Sequence, residues 1–210
     1  MSEPFFQHCL PIQKFSYAVK NGLEAVTLSE NLTQFTDASD ISAWAVSAMQ
    51  WAVGQGLIQG SNGQLRPQIV TFLWRAAGSP EPKNVGSFSD VPASAYYAKA
   101  VAWAVENGIT TGTGNGRFSP DATCTRAQSV TFLYRALSAR AEGTAEFRDV
   151  PKNAYYADAV AWAAEKGYMK GVGHNRFAPD GTLTREQLAQ ILMNKSGQKS
   201  GMETMFTSIY

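Results

Sequence analysis

At 210 residues, 44% of them hydrophobic, the chain is long enough to bury a sizeable core, as one large domain or as several small stacked units. A formal net charge of +1, with no run of Lys or Arg, supplies no field to hold a nucleic-acid backbone, so nucleic acid is not an expected partner. No stretch of about 18 apolar residues exists, so no membrane insertion is expected, and residues 1–30 lack the basic start and apolar centre of a secretion signal.

In chain order, Phe5 through Lys20 reads as a helix interrupted at Pro11 and ended by Asn21-Gly22. Residues 1–34 are expected to pack, as the remnant of a preceding repeat, against the first repeat of the chain. From Phe35 the chain repeats itself. Trp103 and Trp162 are 59 apart, as are Phe88 and Phe147, Gly112 and Gly171, Pro120 and Pro179, and Arg126 and Arg185. An earlier copy opens at Phe35-Thr36-Asp37 and runs through Trp44, Trp51, Gly56 and Gly60 at an offset of 52 or 53. These offsets divide the chain into 35–78 for the first repeat, 86–138 for the second, 145–195 for the third and 196–210 for a frayed tail. Linkers are clearest at Gly78 through Pro82 and Ala139 through Ala145.

Each repeat reads as helix, loop, helix, with no strand expected. In the second, Tyr96, Ala100, Trp103 and Asn107 share a helical face, and Gly108 supplies the stop. The Ala-rich pattern predicts a mostly buried helix, with Trp51, Trp103 and Trp162 in the core and Trp44 undecided. Next comes a loop beginning at Gly112, or Gly171 in the third repeat, whose glycines allow close backbone approach and form a candidate ligand wall. The second helix starts at a defined residue. Thr125 with Gln128, and Thr184 with Gln187, have capping-box spacing.

One feature inside that box lacks a local reason. Arg126 and Arg185 place a cation in the first helical turn, against the partial positive charge of the N-terminus, at a cost of about 0.3–1 kcal/mol. A guanidinium converging with helix amides makes an anion site, and its planar fork suits a carboxylate. On this reading, replacing the arginine should leave stability almost unchanged. The bland alternative pairs it with a neighbouring carboxylate. In the first repeat Pro67 matches Pro120, so the residues corresponding to Asp121 through Ala127 read as deleted, and the arginine with them; Arg66 is the nearest substitute.

Phe-x-Asp-Val, a Trp-bearing helix, Gly-x-x-x-Gly, Phe-x-Pro-Asp and Thr-Arg-Ala/Glu-Gln before an apolar helix together resemble the S-layer homology domain, with two intact copies and one carrying an internal deletion. The resemblance implies an all-α fold, tandem helix-loop-helix repeats packed as a pseudo-threefold bundle. It also implies a non-catalytic anchor at the bacterial cell surface, in the cell wall or S-layer, with any export signal outside this chain. The implied partner is secondary cell-wall polysaccharide attached to peptidoglycan, an anionic and often pyruvylated sugar held in grooves between repeats. Carried onto this sequence, the ligand-binding residues are Arg126, Arg185, Thr125, Thr184, Gln128, Gln187, Gly112 and Gly171. A helical assembly domain of a surface protein is the competing class.

Other chemistry is thin. Cys9 and Cys124 make no disulfide framework, and no Cys or His pair has zinc spacing, so neither metal nor cofactor is expected. Cys124, aligned with Leu183, reads as a small buried hydrophobe. His8 and His174 belong to no catalytic arrangement. Asp90, Asp121, Asp149 and Asp180 sit at repeated turn positions, where turn capping explains them better than a hydrolase carboxylate pair.

Overall fold

A computed structural model of the protein describes Leu32 and residues 40–54, 65–144 and 146–195. The helix expected over Phe5 to Lys20, the tail 196–210 and the side chain of Trp44 lie outside the described residues. Leu32 alone represents the N-terminal segment, and it is buried.

A 3-10 turn, Ala43–Ala45, runs directly into α1, Val46–Gly54. The other helices are α2, Leu65–Ala76; α3, Ala98–Glu106; α4, Arg126–Ala136; α5, Ala157–Glu165; and α6, Arg185–Lys195. Among the described residues the only extended pairings are two isolated bridges, Gly114 with Arg117 and Thr125 with Thr182. The fold is all-α, as the periodicity requires.

The helices pair between repeats. α2 packs on α3, α4 on α5, and α6 on α1 and its 3-10 turn, so the second helix of each repeat lies against the first helix of the next and the third repeat closes on the first. α2 and α4 also meet. Alanine permits this closeness: Ala98, Ala100, Ala102 and Ala104 in α3, and Ala159 and Ala163 in α5, are almost wholly buried. Trp51, Trp103 and Trp162 are 2%, 3% and 5% exposed, so all three belong to the core. At the α4–α5 seam the Trp162 ring meets Tyr134 edge-on, with centroids 5.7 Å apart.

The helix starts follow from sequence for α4 and α6. Thr125 Oγ1 accepts from the Gln128 amide at 3.2 Å while Gln128 Oε1 accepts from the Thr125 amide at 3.1 Å, and Thr184 and Gln187 repeat both distances. Helix α2 corrects the reading of the first repeat. Because it begins at Leu65, Arg66 lies in its first turn, two residues before Gln68, just as Arg126 lies two before Gln128. Pro67 is thus a first-turn proline, where its missing N–H costs nothing. What the first repeat lacks is the turn and the threonine; the arginine position is kept.

Gly112 and Gly171 are demanded by packing. A Cβ on Gly112 would lie 2.4 Å from the Arg117 carbonyl oxygen and 2.5 Å from the Phe88 ring, and one on Gly171 would lie 2.7 Å from the Arg176 oxygen and 2.8 Å from Phe147. Gly112 also has φ +78°, which disfavours a side chain. Gly112→Ala is therefore expected to destabilise the protein by at least about 2 kcal/mol in chemical denaturation.

The aspartates of the Phe-x-Asp turns hold the Phe-x-Pro-Asp turns. Asp90 accepts from the amides of Phe118 and Ser119, both at 2.8 Å, and from Arg117 Nε at 3.3 Å. Asp149 does the same for Phe177 at 2.8 Å, Ala178 at 2.9 Å and Arg176 at 3.5 Å. The carboxylates fix a local strain, since Ser119 and Ala178 have φ +56° and +55°. Burial alone would raise both carboxyl pKa values, but the hydrogen bonds outweigh it and hold them below the usual carboxylate range. A depressed folded pKa contributes stability above the unfolded value of about 3.9, and this is lost as pH falls through the folded value. Acid unfolding is therefore expected below about pH 4. Asp90→Asn should blunt it while lowering stability at pH 7 by about 1.5–3 kcal/mol, because an amide group has one acceptor oxygen for two backbone donors. Thermal melts from pH 2 to 7 measure both.

Candidate functional site

The eight candidate residues fall into different seams. Arg126 of the second repeat reaches the Lys170 carbonyl beside Gly171 of the third and Thr125 bridges Thr182, whereas Gly112 lies in the equivalent loop of the second repeat. Thr184, Arg185 and Gln187 sit at the start of α6, which packs on the first repeat.

The seam between repeats 2 and 3 is built on backbone. The first amide of α4, Arg126 N–H, donates to the Gly181 carbonyl at 2.8 Å, the second, Ala127 N–H, to Pro179 at 3.0 Å, and the third is taken by Thr125. Leu183 N–H returns a bond to the Cys124 carbonyl at 3.2 Å. A helix start leaves its first amides without intrahelical partners. Here the acceptors come from the next repeat, which corrects the expectation of amides available to an anion.

Arg126 finds its reason in the same place. Its Nε donates to the Phe177 carbonyl at 2.9 Å and its Nη2 to the Lys170 carbonyl at 2.8 Å, while its Cζ lies 4.7 Å from the centre of the Phe177 ring. Carbonyl dipoles from Lys170, Phe177, Pro179 and Gly181 thus surround the positive end of α4. A cation that opposes a bare helix dipole is favoured inside that cluster. The arginine clamps the next repeat's loop. The sequence offers no local signal for Lys170 or the Phe177 ring, because both lie more than forty residues away.

Thr125 and Gln128 spend the cap oxygens on each other, and both are half-buried. The neighbouring Cys124 is buried with Sγ 3.4 Å from Ser129 Oγ, the environment expected of a small core residue. Asp121 and Asp180 are exposed, as is His174. Among the described residues no cluster of His, Cys, Asp and Glu could hold a metal ion, and no helix is long and apolar enough to cross a membrane.

The second seam differs. In α6, position 186 carries glutamate where α4 has Ala127, and its carboxylate reaches the first repeat: Ser42 N–H donates to Oε1 at 2.8 Å and Ser42 Oγ–H to Oε2 at 3.1 Å.

A closed ring of three helical pairs, in which every second helix carries an arginine in its first turn, defines a helical repeat module. The S-layer homology domain model matches residues 34–68, 87–128 and 146–189, and the chain belongs to that family, whose domain is a non-catalytic anchoring module of the cell surface. Over 101 residues the chain is 41% identical to the "Surface-layer 125 kDa protein" of Lysinibacillus sphaericus, covering 48% of this chain and 9% of that protein. It is 35% identical over 119 residues to the "Cell surface protein" of Thermoanaerobacter kivui, covering 53% and 16%. A third relative, "Exoglucanase XynX" of Acetivibrio thermocellus, is 27% identical over 193 residues, 85% of this chain and 17% of that one. The match therefore spans less than a fifth of the length of these relatives.

Because Arg126 ties two repeats together, Arg126→Ala is expected to lower stability by about 1.5–3 kcal/mol, the range for hydrogen bonds to a charged group. Lysine should restore only part, since a point charge cannot serve two carbonyls and a ring in one plane. Urea unfolding of the three proteins checks this; an unchanged midpoint in the alanine variant would restore the expectation of a structurally idle arginine.

Proposed function

We propose that the chain is a non-catalytic wall anchor that holds secondary cell-wall polysaccharide, an anionic and pyruvylated sugar attached to peptidoglycan, in grooves between its repeats. The observation that carries this reading is the placement of Arg126 at the seam between repeats 2 and 3. Two carbonyl bonds fix the plane of its guanidinium, and a planar fork held in place suits a carboxylate. Arg185 is its counterpart at the third seam, and Thr125, Thr184, Gln128 and Gln187 serve by starting the helices that present the two arginines. Gly112 and Gly171 serve by letting the facing loops close. A pyruvate ketal on a sugar supplies a carboxylate on an otherwise neutral ring, which suits one guanidinium per groove.

Wall fragments carrying their polysaccharide, and fragments stripped of it, separate this reading from a helical assembly domain. The chain is expected to sediment with the first only. Combining Arg126→Ala with Arg185→Ala should weaken that binding by about tenfold to a hundredfold per site, measured well below the variant's melting temperature. Sedimentation with both fragment types, or undiminished binding by a folded double variant, would sink the proposal.

A further inference from the structure

The glycine loop of the second repeat ends in a tight hairpin. Arg117 N–H donates to the Gly114 carbonyl at 3.0 Å, and the two residues between them have positive φ, +51° at Asn115 and +67° at Gly116. That is a type I′ turn, for which Asn-Gly is the favoured sequence. The other bonds that hold it also avoid its central peptide: Thr113 N–H donates to the Arg117 carbonyl at 2.8 Å, and Ser89 donates to the Gly116 carbonyl through its amide at 2.9 Å and its hydroxyl at 3.2 Å. Among the described residues the Asn115 carbonyl, the Asn115 side chain and the Gly116 N–H make no hydrogen bond, and both residues are exposed.

We propose that Asn115 is a self-acting modification site, where the side-chain amide is lost to a succinimide with the backbone and the loop acquires a carboxylate. Flipping the one peptide that nothing holds converts the type I′ turn into type II′, with ψ of about −120° at its first central residue. Gly116 takes the accompanying change from positive to negative φ without steric cost. In that conformation the Gly116 nitrogen eclipses the Asn115 Cα–Cβ bond and reaches Cγ. As its proton passes to water, the nitrogen attacks Cγ, the bond from Cγ to the side-chain nitrogen breaks, and ammonia leaves. Water then opens the five-membered ring at either carbonyl, giving aspartate or isoaspartate. No oxidant and no reactant besides water is needed, so a chain held at the cell surface records its age at this turn.

The same chain holds the controls. Asn-Gly occurs at 21–22, 62–63, 107–108 and 115–116, the first two outside the described residues. Asn107 follows α3 with its Nδ2 bonded to the Trp103 carbonyl at 2.8 Å, and the Gly108 N–H is bonded to the Val105 carbonyl at 3.0 Å, so both reacting groups are held. The third repeat makes the same turn from Gly173 to Arg176, with φ +49° at His174 and +56° at Asn175. There the nitrogen after Asn175 belongs to Arg176 and is bonded to the Gly173 carbonyl at 3.0 Å. The two products at position 115 differ in kind. Aspartate suits the turn as asparagine does, whereas isoaspartate adds a methylene to the backbone, so that a two-residue loop no longer fits between Gly114 and Arg117. Either puts a carboxylate two residues from Arg117, whose Nε pairs with Asp90 at 3.3 Å.

Peptide mapping by mass spectrometry, after incubation of the full chain at neutral to mildly alkaline pH, tests the site, since each conversion gains one mass unit and fragmentation separates the two products. Asn115 is expected to convert about tenfold to a hundredfold faster than Asn107, the factor for breaking two hydrogen bonds, with Asn175 unchanged. In urea below the unfolding transition the rate at Asn115 should stay constant, as a local flip requires. A stable Asn115 in the folded chain, equal rates at Asn115 and Asn107, or a rate at Asn115 that climbs with urea would overturn the proposal. An Asn115→Asp variant is expected to melt with the unaltered chain and the isoaspartyl fraction below it; the reverse order would overturn the structural consequence.

Discussion

The start of α4 has no acceptors of its own. A helix leaves its first amides unbonded, and at this one the acceptors are the carbonyls of Pro179 and Gly181, with Phe177 and Lys170 beside them receiving the arginine. Burying such an end without partners would cost several hydrogen bonds, so repeat 3 must dock for repeat 2 to complete its second helix. The Asp149 carboxylate matters for the same reason. It holds the amides of Phe177 and Ala178, and the opposite faces of that turn supply the carbonyls. The chain of dependence runs from one aspartate through one turn to a helix in another repeat.

This dependence across repeats explains which features could be read from residues alone. The capping boxes, the core tryptophans and the buried Cys124 depend on neighbours within a few positions, or on periodicity, whereas Asp90 and Asp149 hold turns 28 residues further along the chain. The partners of Arg126 depend on which repeat lies across the seam, and nothing near Arg126 in sequence specifies that. Its conflict with the helix dipole holds for an isolated helix and disappears once four carbonyls from another repeat surround it. The glycines show the reverse case, since Gly112 and Gly171 suggest a ligand wall while the Phe88 and Phe147 rings pressed against them give a sufficient packing reason.

The first repeat misleads through proline. Pro67 resembles Pro120 in a turn, yet proline is equally at home in the first turn of a helix, and the two alignments differ by the length of the lost segment. Only the start of α2 at Leu65 separates them, and it puts Arg66 in register with Arg126. The loss is therefore of the turn ahead of the helix, and the arginine position is kept.

Pairing each second helix with the first helix of the next repeat also sets a count. In an open solenoid a further repeat extends the stack, because the last unit always leaves a face for another. Here α6 is already seated on α1, so a fourth repeat would find no vacant partner. Closure therefore fixes the repeat number of the module, and a chain with more repeats than one ring holds would have to place them in a second ring beyond a linker.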